Sequence, residues 1–376
     1  MSIKFLHTSD WQIGKLFGSI PEEPRALLGA QRYKTVEAIA RLAADREVEA
    51  ALVAGDIFET NTVKDETIVR MLEAMRPFPG PWVLLPGNHD PALAESVWTR
   101  LQRFGCRPNV VLALSPEPLL LADGRLAVLP APLVRRHDAR DLTEGWPDIN
   151  TPGSAIRVGL AHGCVEERLP ERGESLNSIP AGRPDSARLD YLALGDWHGT
   201  FQVGPRAWYS GTPEPDGFKQ NDPGNVLLVS VATPGEPPLV ERIPVGHYRW
   251  HKLSFSVLPH PDLAALEAPL SGLGEPWDRH VVSLQLTGTI DLQSRALLDE
   301  VLTHWGGRFR WLALDSEKLI PQPTEDDLDR IDKAGFVRAA VEKLRSIEAD
   351  PSNHDGIHAR DALVRLYSAF VGRERE

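Results

Sequence analysis

The chain has 376 residues, 42% of them hydrophobic, with 53 acidic against 41 basic side chains and a net charge of -12. That length carries two or three packed units, and that charge excludes a protein that coats nucleic acid by bulk electrostatics. Two cysteines, Cys106 and Cys164, supply neither a disulfide framework nor a cysteine-rich zinc site; they point to a reducing compartment, and with no leader and no long apolar run the expectation is a cytoplasmic protein.

In chain order, apolar β-rich runs at 3–6, 51–54, 82–85, 158–161 and 191–194 alternate with helical stretches, the pattern of a layered α/β domain. The spacing predicts a first helix over 24–46, resting on Leu27, Leu28, Val36, Ile39, Ala40, Leu42 and Ala43, and a second over about 63–75. After His198 the chain reads as extended over 206–209 and 224–231, as antiparallel strands finishing the core near Pro244, with a Pro- and Gly-rich turn over 233–238. A smaller β-α-β unit is expected over 251–321, with strands at 281–286 and 309–314 around a helix at 292–305. Two amphipathic patterns, 325–347 and about 357–371, close the chain, the first opened by Thr324 and Asp327 as a capping pair. The expected divisions are 1–248, 249–322 and 323–376.

Each of the five apolar runs leads into residues of ligand type: Ser9-Asp10-Trp11-Gln12, Gly55-Asp56, Gly87-Asn88-His89-Asp90, His162-Gly163 and Gly195-Asp196-Trp197-His198. Polar groups after buried strands lie where open α/β folds place their chemistry, here gathered onto one edge of a sheet. Residues two apart at an extended strand end point the same way, so Asp10 with Gln12, and Asp196 with His198, each present two ligand atoms. Asp56 is the natural bridge between two divalent ions, Asn88 offers a carbonyl oxygen and His162 an imidazole nitrogen. Seven ligands over two ions leave room for a bridging water or hydroxide as nucleophile. His89 differs in kind: it follows Asn88 and is read as proton donor to the leaving oxygen, or as a positive group facing the phosphorane-like transition state, with Asp90 fixing its tautomer. Singly, each piece has a plainer reading, since Gly55-Asp56 is an ordinary strand-to-turn signal, His162 alone reads as a core histidine, and Trp11 and Trp197 as packing. The order and strand context of all five together carry the metal-site reading. Arg135, Arg136, His137 and Arg140, and Arg168 with Arg172, offer local positive surface beside it.

Asp10, Gly55-Asp56, the Gly87–Asp90 string, His162 and the Gly-x-x-His at 195–198 resemble the calcineurin-like metallophosphoesterases. The segments 7–15, 54–58 and 209–214 are similar to the SbcD-type DNA repair nucleases, and the likeness spans about residues 3–218. The resemblance implies a β-sandwich flanked by helices in α/β/β/α layers, a small α+β capping domain and C-terminal helices. It also implies one ion on Asp10, residue 12, Asp56 and His198, and another on Asp56, Asn88, His162 and residue 196. Two positions depart from the family: it has His where this chain has Gln12 and where it has Asp196. Oxygen replaces nitrogen at both, which favours manganese, with magnesium behind it, over zinc.

The leading expectation is a metal-dependent DNA phosphodiesterase, an endo- or exonuclease in DNA repair. A phosphatase or a small cyclic-nucleotide phosphodiesterase uses the same fold, and a non-catalytic scaffold with a decayed site is the third reading. The partners implied are single-stranded DNA or DNA ends and, by resemblance, a coiled-coil ATPase docked on Phe336, Val337, Val341, Leu344, Leu366, Phe370 and Val371, a face that folding back on the cap would equally explain.

Overall fold

A computed structural model describes residues 2–165, 177–258, 263–321 and 335–350, together with 354–356, 358–359, 362–363 and 365–366. Arg168, Arg172, Thr324, Asp327, Phe370 and Val371 lie outside the described residues, as does the start of the helix expected from 325. The chain divides into two units, Met1–Tyr248 and Arg249–Glu376.

The centre of the first unit is built from strands buried on both faces. In β1 (Ile3–Thr8) and β2 (Ala50–Val53), alternate residues go to different cores: Ile3, Phe5, Ala50 and Leu52 to one, Leu6, Ala51 and Val53 to another. Further along the chain come β3 (Trp82–Leu84), β4 (Val110–Leu112), β5 (Leu119–Leu121), β6 (Leu126–Ala131), β7 (Ile156–His162) and the short pair β8 (Cys164–Val165) and β9 (Ser178–Ile179). They are followed by β10 (Tyr191–Gly195), β11 (Phe201–Gly204), β12 (Ala207–Tyr209), β13 (Asn225–Val231) and β14 (Leu239–Pro244). Two six-stranded mixed sheets result, ordered β14-β13-β1-β2-β3-β4 and β11-β12-β10-β7-β6-β5. Phe5, Leu52, Val83 and Val229 of one meet Val128, Val158, Leu160 and Tyr191 of the other in a shared core.

Helices α1 (Glu22–Asp45), α2 (Asp65–Ala74) and α3 (Val97–Phe104) cover the outer face of the first sheet through Val36, Ile39, Ile68, Met71, Trp98 and Leu101. Trp146, Ala187 and Leu189, beside the short helix α4 (Arg183–Ser186), cover the second through Leu192 and Leu194. The layers are therefore α/β/β/α, a mixed α/β architecture consistent with the metallophosphoesterase fold.

The expected single sheet edge is two sheets, because β7 and β10 pair with β6 and β12 and not with β1. The stretch 207–209 is no antiparallel addition: β12 runs parallel to β10, and the β11–β12 hairpin takes the edge. Leu27, expected in the helix core, is 40% exposed, while α1 instead buries Arg32 and Thr35, whose polar ends bond to Asp216 and Glu214.

In the second unit, β15 (Arg249–Val257), α5 (Leu263–Ser271), β16 (His280–Ile290), α6 (Leu292–Gly306) and β17 (Trp311–Pro321) form a parallel three-stranded sheet ordered β15-β16-β17. This is one strand and one helix more than the expected β-α-β. Val257, Leu284, Leu286 and Leu319 pack with Leu266 and Leu298 of the helices, and Ser254, Ser256, Ser283 and Gln285 alternate with the apolar residues along the strands, a period-two signal that the sequence reading passed over in the first strand. A helix at Phe336–Glu348 follows; Val341 and Leu344 pack with Leu363 and Leu366, whereas Phe336 is 87% exposed. No helix among the described residues is long and apolar enough to cross a membrane.

Candidate metal centre

β1, β2 and β3 are neighbouring parallel strands, as are β7 and β10 in the facing sheet, so their C-terminal ends bring Asp10, Asp56, Asn88, His162 and Asp196 together from both sheets. The backbone is strained where the carboxylates and the amide sit. Asp10 (φ 52°), Gln12 (φ 42°), Asp56 (φ 51°) and Asp196 (φ 100°) are all left-handed without being glycine, a conformation that persists only when its surroundings hold it. Asp10 N–H donates to Gly55 O at 3.0 Å and Gln12 N–H to Asp56 O at 2.9 Å, which ties the two loops into one piece. The glycines before the polar residues are required by close approach: a Cβ at Gly87 would lie 2.1 Å from Asp56 Oδ1, and one at Gly195 1.9 Å from Ala54 O.

Asp10, Asp56 and His162, all buried, each offer a ligand atom within 4.8 Å of the other two. His162 Nδ1 donates to Ala54 O at 2.8 Å, which turns Nε2 toward Asn88 Oδ1 at 2.7 Å, Asp56 Oδ2 at 3.5 Å and Asp196 Oδ1 at 3.8 Å. Burial disfavours the His162 imidazolium, but Asp56, Asp10 and Asp196 outweigh it and hold its pKa well above the usual value. Asp56 is the mirror image: burial works against its charge, and His162 and His89 nonetheless hold it below the ordinary carboxylate range. Asp10 is pushed up to about 6, mainly by burial, against the pull of His198 and His162. Its Oδ2 accepts from Ser9 Oγ at 2.5 Å, and Ser9 Oγ meets Ser210 Oγ at 2.8 Å, so the segment around 210 helps set Asp10. Buried carboxylates crowded on one imidazole are what a divalent cation relieves, displacing the proton on Nε2. With the Asn88 oxygen alongside, these residues fit one hard to borderline divalent ion.

Gln12 and His198 belong to a different arrangement. Lys15 Nζ donates to Gln12 Oε1 at 2.8 Å and to Asp216 Oδ2 at 2.8 Å, and Gln12 Nε2 lies 3.2 Å from His198 Nε2. Arg32, 2% exposed at its side chain, donates to Asp216 Oδ2 at 2.7 Å and to Trp11 O at 2.7 Å. Burial would raise the Asp216 pKa, but Arg32, His198 and Lys15 drive it far below the usual range.

His89 stands beside the cluster: its N–H donates to Asp56 Oδ1 at 2.9 Å and its Nδ1 faces Glu59 O at 3.0 Å. Asp90 is not its orienting partner, which corrects the expectation for that residue. Asp90 Oδ1 accepts from Gly87 N–H at 2.7 Å and Oδ2 from Phe58 N–H at 2.9 Å, so the carboxylate shapes the turn that carries Asn88 and His89, and Glu59 O does the orienting. Burial and the nearby Asp56 charge push Asp90 up to about 7.

Sequence reasoning missed Arg32, Asp216 and Lys15 as site residues, and also His7, whose ring joins Tyr191 Oη at 2.9 Å and Leu194 O at 3.1 Å and so pins the two sheets at the centre. Only their neighbourhood to quoted motifs hinted at them. Trp11 and Trp197 are buried. Arg135, Arg136, His137 and Arg140 are exposed, with Arg140 bound to Asp138 at 2.7 Å.

No curated protein matches the chain. Residues 3–163, which carry Asp10, Asp56, Asn88, His89, Asp90 and His162 and stop short of Asp196 and His198, match the family model of the calcineurin-like phosphoesterases; with the Asp10–Asp56–His162 cluster, that similarity points to a hydrolase that binds a divalent metal and acts on phosphoesters.

Proposed function

We propose that the chain is a manganese-dependent phosphodiesterase acting on DNA, as a nuclease in repair. The observation that carries this reading is the convergence of Asp10, Asp56 and His162 at the C-terminal ends of parallel strands from two facing sheets. A bound divalent ion supplies Lewis-acid polarisation of a phosphoryl oxygen and makes water more acidic. Asp10, Asp56, His162, Asn88 and Asp196 hold and orient it, and their oxygen-weighted set is why manganese is favoured over zinc. His89, its Nδ1 proton kept on Glu59 O, presents Nε2 as donor to the departing oxygen. DNA as substrate is supported by the similarity of 7–15 and 209–214 to SbcD-type nucleases, because these segments position the site through Ser9, Lys15 and Ser210. The C-terminal helix with its exposed Phe336 is read as a docking element for a coiled-coil ATPase.

The test is incubation of the metal-stripped protein with labelled single- and double-stranded DNA, metal by metal, with product ends mapped. Cleavage is expected with manganese, weaker with magnesium and absent in chelator. Cleavage undiminished by chelator contradicts the metal reading, and hydrolysis of monoesters or cyclic nucleotides with no DNA product replaces the substrate.

A further inference from the structure

Resting on the metal reading just given, we infer that the centre holds one divalent ion, and that the ammonium of Lys15, fixed between Gln12 and Asp216, supplies the second positive charge to the scissile phosphodiester.

Hydrogen-bond logic gives each step. An ammonium only donates, so the Gln12 atom 2.8 Å from Lys15 Nζ is the amide oxygen and the orientation of the amide is set. The amide NH2 then faces His198, and the ring nitrogen that meets it at 3.2 Å, Nε2, must accept. His198 Nδ1 lies 3.9 Å from Asp216 Oδ1. Of the four donors that the resemblance assigns to a second ion on this side, the Gln12 oxygen is held by Lys15 and the His198 Nε2 by the Gln12 amide, while Asp10 and Asp56 cluster with His162. Asp216 anchors the chain of contacts and is itself fixed by Arg32, whose side chain is 2% exposed.

The charge count agrees. Asp10, Asp56 and Asp196 act on His162 on one side, while on the other Lys15 and Arg32 sit on Asp216, with Glu214 also facing Arg32 and Asp10 facing His198. A second ion would enter the half in which Lys15 and Arg32 already supply two cations. A cavity of about 210 Å³ lined by Lys15, Asp196, His198, Thr212, Asp216 and Lys219 opens beside this half, so a phosphodiester oxygen can reach the ammonium. Lysine is a compact, strongly hydrated point charge suited to that task.

The experiment titrates manganese into the metal-stripped full-length protein and reads both bound ions per chain and the electron paramagnetic resonance spectrum. One ion per chain is expected, with the resolved hyperfine lines of an isolated Mn(II). Lys15→Met is expected to keep that ion and lower kcat about tenfold, Lys15→Arg to restore most of the rate, and the double variant Gln12→His with Lys15→Met to bind a second ion with an exchange-coupled spectrum. Two coupled ions in the unaltered protein, or a Lys15→Met enzyme of full activity, overturn the inference and leave the metal reading standing. No bound ion at all overturns both.

Discussion

On the His162 side of the centre an imidazole meets Asp56, Asp10 and Asp196, and its Nε2 lies 3.5 Å and 3.8 Å from two of those carboxylates. On the His198 side an imidazole meets an amide that Lys15 already holds, and the Asp216 carboxylate there serves Lys15 and Arg32. The two residues of each pair, Asp10 with Gln12 and Asp196 with His198, are divided between the halves, the carboxylate going to the His162 side and the neutral group to the other. That division decides which half awaits a cation and which has built one in: side chains of the right type become metal ligands only when their lone pairs and charges are left uncompensated.

The largest break of the comparison is Asp56→Ala, which removes the carboxylate facing both His162 and the His89 amide. Loss of bound manganese and a fall in kcat of about 10³-fold or more are expected, measured by metal analysis and DNA cleavage. A variant that keeps its ion would show that the His162 half is not the binding half.

His7 sharpens the comparison by testing the pin that brings the halves together. Burial holds its pKa down to about 3, against 6.5 for the free side chain. Between those values the unfolded chain takes up a proton and the folded chain does not. His7 therefore imposes no penalty above about pH 6.5 and destabilises the fold progressively as pH falls toward 3, by up to about 5 kcal/mol. Urea midpoints at pH 7, 5 and 4 for the parent and His7→Gln measure this, and a steeper fall in the parent is the expected result. Identical pH dependence would mean the ring is protonated at little cost.

Asp216→Asn removes the carboxylate that Arg32 and Lys15 share and is expected to cost about 3 kcal/mol in denaturant unfolding, because the buried Arg32 guanidinium loses its hydrogen-bonded counter-charge and keeps only the Glu214 charge nearby. Its manganese content should be unchanged, which separates the two halves directly. His89→Ala has the smallest expected effect, a fall in kcat of roughly 10²-fold with the ion retained, and less than that on a diester whose leaving group needs no protonation. A fully active His89→Ala protein removes the proton-donor role.

The residues that line the His162 half were legible because each follows an apolar run, and strand ends in an open α/β fold converge whatever the loops do. Asp10, Asp56 and His162 could be named as ligands from that alone, although the expected division put Asp10 and His162 on different ions and the structure clusters them. The Lys15–Asp216–Arg32 arrangement was not legible: Lys15 and Asp216 are 201 residues apart, Arg32 sits on a helix face that reads as apolar, and nothing in periodicity marks a buried cation. Asp90 shows the same limit at short range. Its place next to His89 suggested a side-chain pair, yet the turn needed acceptors for the Gly87 and Phe58 N–H groups, and those backbone donors took the carboxylate. The two-sheet layering escaped the strand pattern for a related reason, since an apolar run buried on both faces carries no record of which strands it pairs with. The parallel placement of β12 was hidden in the same way, whereas the extra strand of the second unit carries a readable alternation at Leu253, Phe255 and Val257.

The central claim is that Asp10, Asp56 and His162 are the binding donors of a divalent ion. The most direct measurement is a crystal structure of the full chain grown with manganese, with an anomalous difference map. The account predicts a peak within about 2.0 to 2.6 Å of an oxygen of Asp10, an oxygen of Asp56 and His162 Nε2, with Nε2 released from Asn88 Oδ1 as a donor. A map with no peak among these three atoms, His162 still donating to Asn88, would contradict it.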